Sequence, residues 1–354
     1  MRRPLLIIIF VRTVLNMAFR IVYPFLPAIA RGLGISLASA GQLVALRGVA
    51  GLIAPLTGPF ADRYGRRRVM EAGLLTFAAG TLVVGLNLHL WLTMVAFLLT
   101  GVAKSLYDPA MQAYLSDRVP YHARGQAMGL TELSWAAAWL IGVPAAGFIM
   151  ERFGWRAPWL ALALLGVAGW LLTARGLPRA RVTSEPVQSV PVAARLSQTA
   201  RQWGRVIAHP NVARALATSV LVMASIETVL IVYGAFLEEN FGLSLGALGL
   251  ASTVIGVAEV IGEFGSAGLV DRFGKRRSIM AGLVLLALSF LLLPLLTGGL
   301  VATLAGVMVM MVTFEFSLIT LIPLVSELVP EWRADVLSMN VAAISAGRVV
   351  GALL

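Results

Sequence analysis

The sequence contains no cysteine, which excludes a disulfide framework, a thiolate metal site and a cysteine nucleophile. It has three histidines, His89, His122 and His209, far apart and without a metal-ligand spacing such as HExxH. No P-loop pattern occurs, so ATP is not the implied energy source. Charge is scarce as well. Only 13% of the 354 residues are Asp, Glu, Lys or Arg, against about 25% in a soluble domain. What is present is apolar, with 59% hydrophobic residues. That balance excludes a disordered chain, which needs the reverse, and argues against a water-soluble enzyme.

A helix crossing a bilayer needs about 20 mostly apolar residues. Such stretches occur at 4–29, 37–60, 70–88, 91–116, 125–150, 156–174, 212–236, 245–269, 279–297, 300–327 and 336–354, eleven in all. The first is not a cleavable leader, because it holds Arg12 and Arg20 and runs straight into a second span. The net charge of +11 takes its meaning from its distribution. With the N-terminus in the cytoplasm, 20 of the 28 basic residues fall in cytoplasmic segments and five within spans. Only Arg31, Arg152 and Arg156 fall outside. The positive-inside rule therefore predicts a multi-pass protein of a prokaryotic inner membrane with a cytoplasmic N-terminus. The basic residues would meet anionic lipid headgroups, and nucleic acid is not an expected partner.

The chain repeats itself. Asp62, Arg63, Gly65, Arg67 and Arg68 recur as Asp271, Arg272, Gly274, Arg276 and Arg277 at a constant offset of 209. The same offset carries Arg124 onto Arg333 and Gly142 onto Gly351. The organisation predicted is a six-helix half (1–175), a cytoplasmic linker (176–209) and a second half (210–354) with five helices. Parallel repeats about an axis along the membrane normal are a transporter architecture. The offset places Leu354 at the counterpart of Ala145, so a twelfth span is missing and a truncated sequence is the preferred explanation.

The loop between spans 2 and 3 resembles the signature G-x-x-x-D-R-x-G-R-[RK] of the major facilitator superfamily, matched by Gly58, Asp62, Arg63, Gly65, Arg66 and Arg67. The weaker second copy has its glycine one residue late, at Gly268. Tyr23-Pro-Phe-Leu-Pro27 and Gly154-Trp-Arg156 resemble the drug/proton antiporter branch. The resemblance implies an all-α membrane protein of two pseudo-symmetric halves, working by alternating access. It also implies a cytoplasmic latch. Asp62 would accept hydrogen bonds from the start of span 11 near Ala334, and Arg66 would pair with Asp117. In the second half Asp271 would face Arg124, and Lys275 would pair with Glu327, with Arg63 and Arg272 beside the two acids. Gly65 and Gly274 would permit the tight turns. Arg67, Arg68, Arg276 and Arg277 read as plain positive-inside charges.

Eleven charged residues lie within spans: Arg12, Arg20, Arg47, Lys104, Asp108, Glu132, Glu227, Glu259, Glu263, Glu315 and Arg348. A charge at mid-membrane costs at least about 2.5 kcal/mol, so these face one another or a watery cavity. Arg12, Asn16 and Arg20 share one helical stripe at i, i+4, i+8. They and Lys104 and Asp108 are the substrate candidates, with Lys104–Asp108 also readable as a structural i, i+4 pair. Arg12 and Arg20 need partners from Asp108, Glu132 or a substrate anion. Glu227 and Glu315 have no base within a turn on their own helices. Such carboxylates can exchange a proton near neutral pH, which makes them, then Glu132 and Asp108, the proton-coupling candidates. Glu259 and Glu263 are a like-charged i, i+4 pair, either structural or sharing a proton.

Residues 193–207 form either an amphipathic helix, with Leu196, Trp203 and Ile207 toward the membrane, or part of a plain tether. Trp91, Trp155 and Trp159 fall where an outer aromatic belt belongs. The expected function is secondary transport without a cofactor, energised by a proton gradient, in a monomer. Efflux of small amphipathic or apolar compounds leads. Uptake or exchange of an organic anion is the alternative that Arg12 and Arg20 suggest, and a non-transporting sensor or scaffold is the second. The family's antiporters often carry an acid in span 1, and Val143 replaces a signature glycine before Pro144 and Gly147. Both departures leave the direction of transport open.

Overall fold

The computed structural model describes residues 2–52, 61, 63–178 and 203–354. Among the described residues every regular element is helical. The principal helices are α1 (Arg2–Arg20), α2 (Val22–Leu33), α3 (Leu37–Leu52), α4 (Arg66–Leu86), α5 (Leu90–Arg118), α6 (Tyr121–Ala137) and α7 (Val143–Phe153). They continue as α8 (Ala157–Gly176), α9 (Pro210–Phe241), α10 (Leu245–Ala251), α11 (Thr253–Phe273), α12 (Lys275–Leu292), α13 (Leu300–Glu327) and α14 (Arg333–Leu353). Among the described residues nine helices are long and apolar enough to cross a membrane, and the bent pair α1–α2 makes a tenth. α3 has 16 described residues, and residues 53–60 of the same predicted stretch lie outside the description.

Proline shapes the irregular spans. The expected straight first span bends by 54° between α1 and α2. Pro24 has no N–H for the carbonyl of Arg20, and its ring crowds that carbonyl, so the helix breaks at Ile21. Pro144 does the same to Leu140, and there the chain forms a π-helical turn over Ala138–Gly142 between α6 and α7.

Within the first group, α4 packs on α5 and α8, α3 on α5, and α1 on α8 and α6. Within the second, α9 packs on α14, and α11 and α12 on α13. α2 packs on α9 across the groups, and two larger seams join them: α3 with α14, and α7 with α10. These are spans 2 with 11 and 5 with 8, and the 209-residue offset exchanges one seam for the other. The ends that carry Gly65, Arg118, Gly176, Gly274 and Arg333 form one face, called the basic face here. Gly34, Asn87, Gly154, Gly242 and Gly298 mark the opposite face.

One expectation is corrected. Trp159 is not a belt residue: it is buried with its ring 5.4 Å from that of Phe97, because its helix turns it onto α5. Trp91 is exposed. In the linker, residues 203–208 are helical, and Ile207 is exposed, which leaves it free to face lipid. Val206 is the residue that packs, with Trp203, against Val212, Leu216 and Val336. Leu196 lies outside the described residues.

Candidate functional site

The first site residues gather between α1, α5 and α6. Arg12 meets Glu132 through two nitrogens, Nη1 at 2.8 Å and Nη2 at 3.1 Å, and its Nε lies 3.6 Å from Asp108. Lys104 donates to Asp108 at 2.8 Å and to Asn16 Oδ1 at 2.5 Å. Asn16 in turn donates to Ser134 at 2.9 Å. Two cations thus answer two carboxylates, with Asn16 and Ser134 completing the network. A buried guanidinium left alone would be costly, and this pairing removes that cost.

Arg20 departs from the expectation. Its partner is neither Asp108 nor Glu132 but Glu259 of α11, in the other helix group. Both arginines lie in the one helix α1, but Arg20 stands about two turns, roughly 12 Å, further along it, where α11 rather than α5 and α6 supplies the acid. Glu259 Oε1 also accepts from Trp139 Nε1 at 3.1 Å. Glu227 accepts from the hydroxyl of Tyr23 at 2.8 Å, again across the two groups. Among the described residues, Glu263, Glu315 and Arg348 have no ion-pair partner within 4.0 Å. Trp135 stands amid cations, with Lys104 at 4.3 Å, Arg20 at 4.6 Å and Arg348 at 5.8 Å from its ring. Arg47 is buried against Phe19 and donates to the Ala18 carbonyl at 3.1 Å.

These groups surround a cavity of about 720 Å³ between the two helix groups. Its walls are largely apolar, including Met223, Leu230, Phe264, Met311 and Phe314. Its polar lining is Arg20, Tyr23, Gln126, Arg348 and five carboxylates: Glu132, Glu227, Glu259, Glu263 and Glu315. The lining runs from mid-helix to the basic-face parts of α6 (Gln126, Gly129) and α13 (Ile322). There Gly125 and Gly129 of α6 and Gly265 and Gly268 of α11 have open space beside them.

Toward the opposite face the same seam is shut. A Cβ on Gly147 would stand 2.6 Å from the Leu245 carbonyl oxygen, and one on Gly234 would stand 2.1 Å from that of Pro24. Glu151, at the end of α7, accepts from the Gly246 N–H at 2.7 Å and the Ser244 hydroxyl at 3.2 Å. It thereby caps the N-terminus of α10, where a negative charge is favoured. Arg31 pairs with Glu238 at 2.7 Å.

At the basic face Arg66 pairs with Asp117 and also donates to the Ala113 carbonyl. Lys275 pairs with Glu327. Gly65 and Gly274, 209 residues apart, adopt φ of +89° and +80°, a conformation that side-chain-bearing residues avoid. Arg63 and Arg272 lie over their neighbours Tyr64 and Phe273. Gly58, Asp62 and the side chain of Asp271 lie outside the described residues. Arg67 does more than add charge: it binds Glu71 at 2.6 Å and donates to the carbonyls of Ala174 and Leu177, where α8 ends.

Sequence reasoning left Glu259 open between a structural role and a shared proton, and passed over Tyr23, Trp135 and Trp139 as site residues. Two signals pointed to Glu259. Arg20 lacked an acid on its own helix, and the Glu259/Glu263 pair lacked a cation.

Comparison with known proteins agrees with this architecture. The family model of the Major Facilitator Superfamily matches residues 8–354. Multidrug resistance protein 2 of Bacillus subtilis is 25% identical over 341 residues, 94% of this chain and 83% of that protein. The class C tetracycline resistance protein of Escherichia coli is 27% identical over 285 residues, 79% of this chain and 70% of that one. A bacterial homologue of the human lysosomal transporter Spinster, solved inward-facing and unoccupied, superposes with a TM-score of 0.77 at 16% identity, over 99% of this chain and 80% of that one. An enzyme is thereby set aside in favour of a multi-pass membrane transporter of small molecules, and the chain belongs to the major facilitator superfamily.

Proposed function

We propose that this protein is a proton-coupled exporter of small amphipathic, cationic compounds, acting as a monomer in a bacterial inner membrane. The N-terminus and the basic face lie in the cytoplasm, and the conformation described is open inward. The observation that carries this reading is the cavity's balance of charge. Arg12 and Arg20, the two residues that suggested an anionic substrate, are both engaged by carboxylates. What remains without an ion-pair partner on the apolar wall is mostly acid: Glu227, Glu263 and Glu315 against Arg348. Such a wall favours a cation with a greasy body. The names of the multidrug and tetracycline resistance relatives support export. Protons entering from outside would compete with the substrate for these carboxylates, which would couple the two flows without a cofactor.

The cytoplasmic latch belongs to the same reading. Asp62 with span 11 would hold the basic face closed in the outward-facing state, while Arg66–Asp117 and Lys275–Glu327 shape the two loops. One observation favours organic anion exchange instead: Arg348 lines the cavity without an acid in ion-pair range. Flux into vesicles of purified protein separates the two. Ethidium accumulation driven by a pH gradient supports the first reading. Gradient-independent exchange of an organic anion, with ethidium inert, replaces it with the second.

A further inference from the structure

We infer that Glu259 is the proton-carrying residue of the transport cycle, and that its proton controls whether Arg20 ties the two helix groups together. The inference rests on the proton-coupled reading above and names a residue that the isolated carboxylates Glu227, Glu315 and Glu132 had overshadowed.

Three observations converge on Glu259. It is 2% exposed, yet it lines the cavity, so it is held in low dielectric within reach of water. One oxygen, Oε1, is engaged by both Arg20 and Trp139. The other, Oε2, is buried with no hydrogen-bond partner among the described residues. A buried acceptor without a partner is costly, and a proton on Oε2 turns that acceptor into a donor.

The charges facing it come from every neighbouring span. Arg20 and Tyr23 come from α1–α2, Glu132 from α6, Glu227 from α9, Glu315 from α13 and Arg348 from α14, with Glu263 one turn along its own helix. Glu315 comes from α13, which packs directly on α11. Its helix runs so close that a Cβ on Gly262 would stand 2.6 Å from Glu315 Cβ. With Glu132 engaged by Arg12, the acids Glu227, Glu259, Glu263 and Glu315 still outnumber Arg20, Arg348 and the nearby Arg47, so a bound proton or a substrate cation balances the ring. The groups titrate as a set, and only Glu259 joins that set to an intergroup ion pair.

The step balances simply. One proton adds to Oε2 and turns the carboxylate into a neutral acid. Arg20 loses its counter-ion, and the α1–α11 tie weakens from an ion pair to a neutral hydrogen bond. Loss of that proton to the basic face restores the pair in the inward-open form. A cationic substrate arriving at Glu263 and Glu315 supplies the positive charge that the departing proton removes.

Purified protein in vesicles tests this with ethidium as the probe. For one-for-one exchange of a proton against a monovalent cation, wild type should accumulate ethidium roughly tenfold per unit of pH gradient. Glu259→Gln should lose that accumulation while ethidium–ethidium exchange persists at a reduced rate. Glu259→Gln accumulating ethidium like wild type overturns the assignment, and the proton-coupled reading then stands on another residue. Wild type that ignores the gradient overturns both. If Glu259→Gln does not fold, proton release on ethidium addition in detergent is measured for wild type and Glu259→Asp. The shorter acid sits a methylene further from Arg20 and should shift the pH midpoint of release; an unchanged midpoint overturns the assignment.

Discussion

Glu151→Ala should open the opposite face. In the conformation described Glu151 crosses from α7 to α10, where it accepts from the Gly246 N–H and the Ser244 hydroxyl. The bond to Gly246 is a charge-assisted helix cap. Losing a cap costs about 0.5–2 kcal/mol, and a hydrogen bond to a charged group contributes about 1.5–3 kcal/mol. Glu151 is exposed to water, which argues for the lower part of both ranges. The neighbouring Arg31–Glu238 pair is also solvent-accessible and contributes about 0–1 kcal/mol, too little to hold the seam alone. Removing Glu151 therefore shifts the balance by about 1–2 kcal/mol, roughly a fivefold to thirtyfold rise in the outward-open to inward-open ratio. Because the chain has no cysteine, spin labels at Leu88→Cys and Gly298→Cys report the width of the opposite face against a clean background. A new or enlarged long-distance population is expected. An unchanged distance distribution would show that the glycine-lined contact at Gly147 and Gly234 closes this face without help, and would refute the capping argument.

Three further outcomes follow from the same packing. Arg12→Ala strands Glu132 and leaves Asp108 to Lys104 alone, and should cost about 3 kcal/mol, the low end for a broken buried pair because Glu132 is partly solvated; an unchanged melting temperature in detergent counts against the network. Gly101→Ala places a methyl 2.4 Å from the Arg47 carbonyl oxygen, where backbone cannot easily yield, and should destabilise by about 1–3 kcal/mol in the same assay. Asp62→Asn should slow transport in vesicles while leaving the amount of protein in the membrane unchanged; wild-type rates would remove the latch.

The sequence showed the fold well because both of its signals were one-dimensional. Apolar runs of the right length mark spans whatever they touch, and the 209-residue repeat marks two copies of one plan. Gly65 and Gly274 could be read as turn residues because each needs only its own backbone angle. Helix bends were less legible. Pro24 and Pro144 lie within stretches that read as single spans, and the sequence did not show that one would give a 54° bend and the other a π-turn. Arg67 looked like surplus charge because its acceptors, the carbonyls that end α8, lie more than a hundred residues away and carry no sequence signature.

Pairing was the hardest feature to read, and it decides the functional conclusion. From spacing alone, Arg12 and Arg20 are equivalent members of one stripe and suggest an anion between them. Height along α1 breaks that equivalence, because Arg20 stands about two turns, roughly 12 Å, beyond Arg12. Arg12 stays over α5 and α6 and finds Asp108 and Glu132, while Arg20 swings across the central seam to Glu259. Once both guanidiniums are engaged, the sign of the cavity is set by the carboxylates left over, and the preferred substrate changes sign with it. An intramembrane charge therefore informs about substrate only after its partner is subtracted. The two helical turns between Arg12 and Arg20 bring each to its own acid, and that is what makes the subtraction come out acidic.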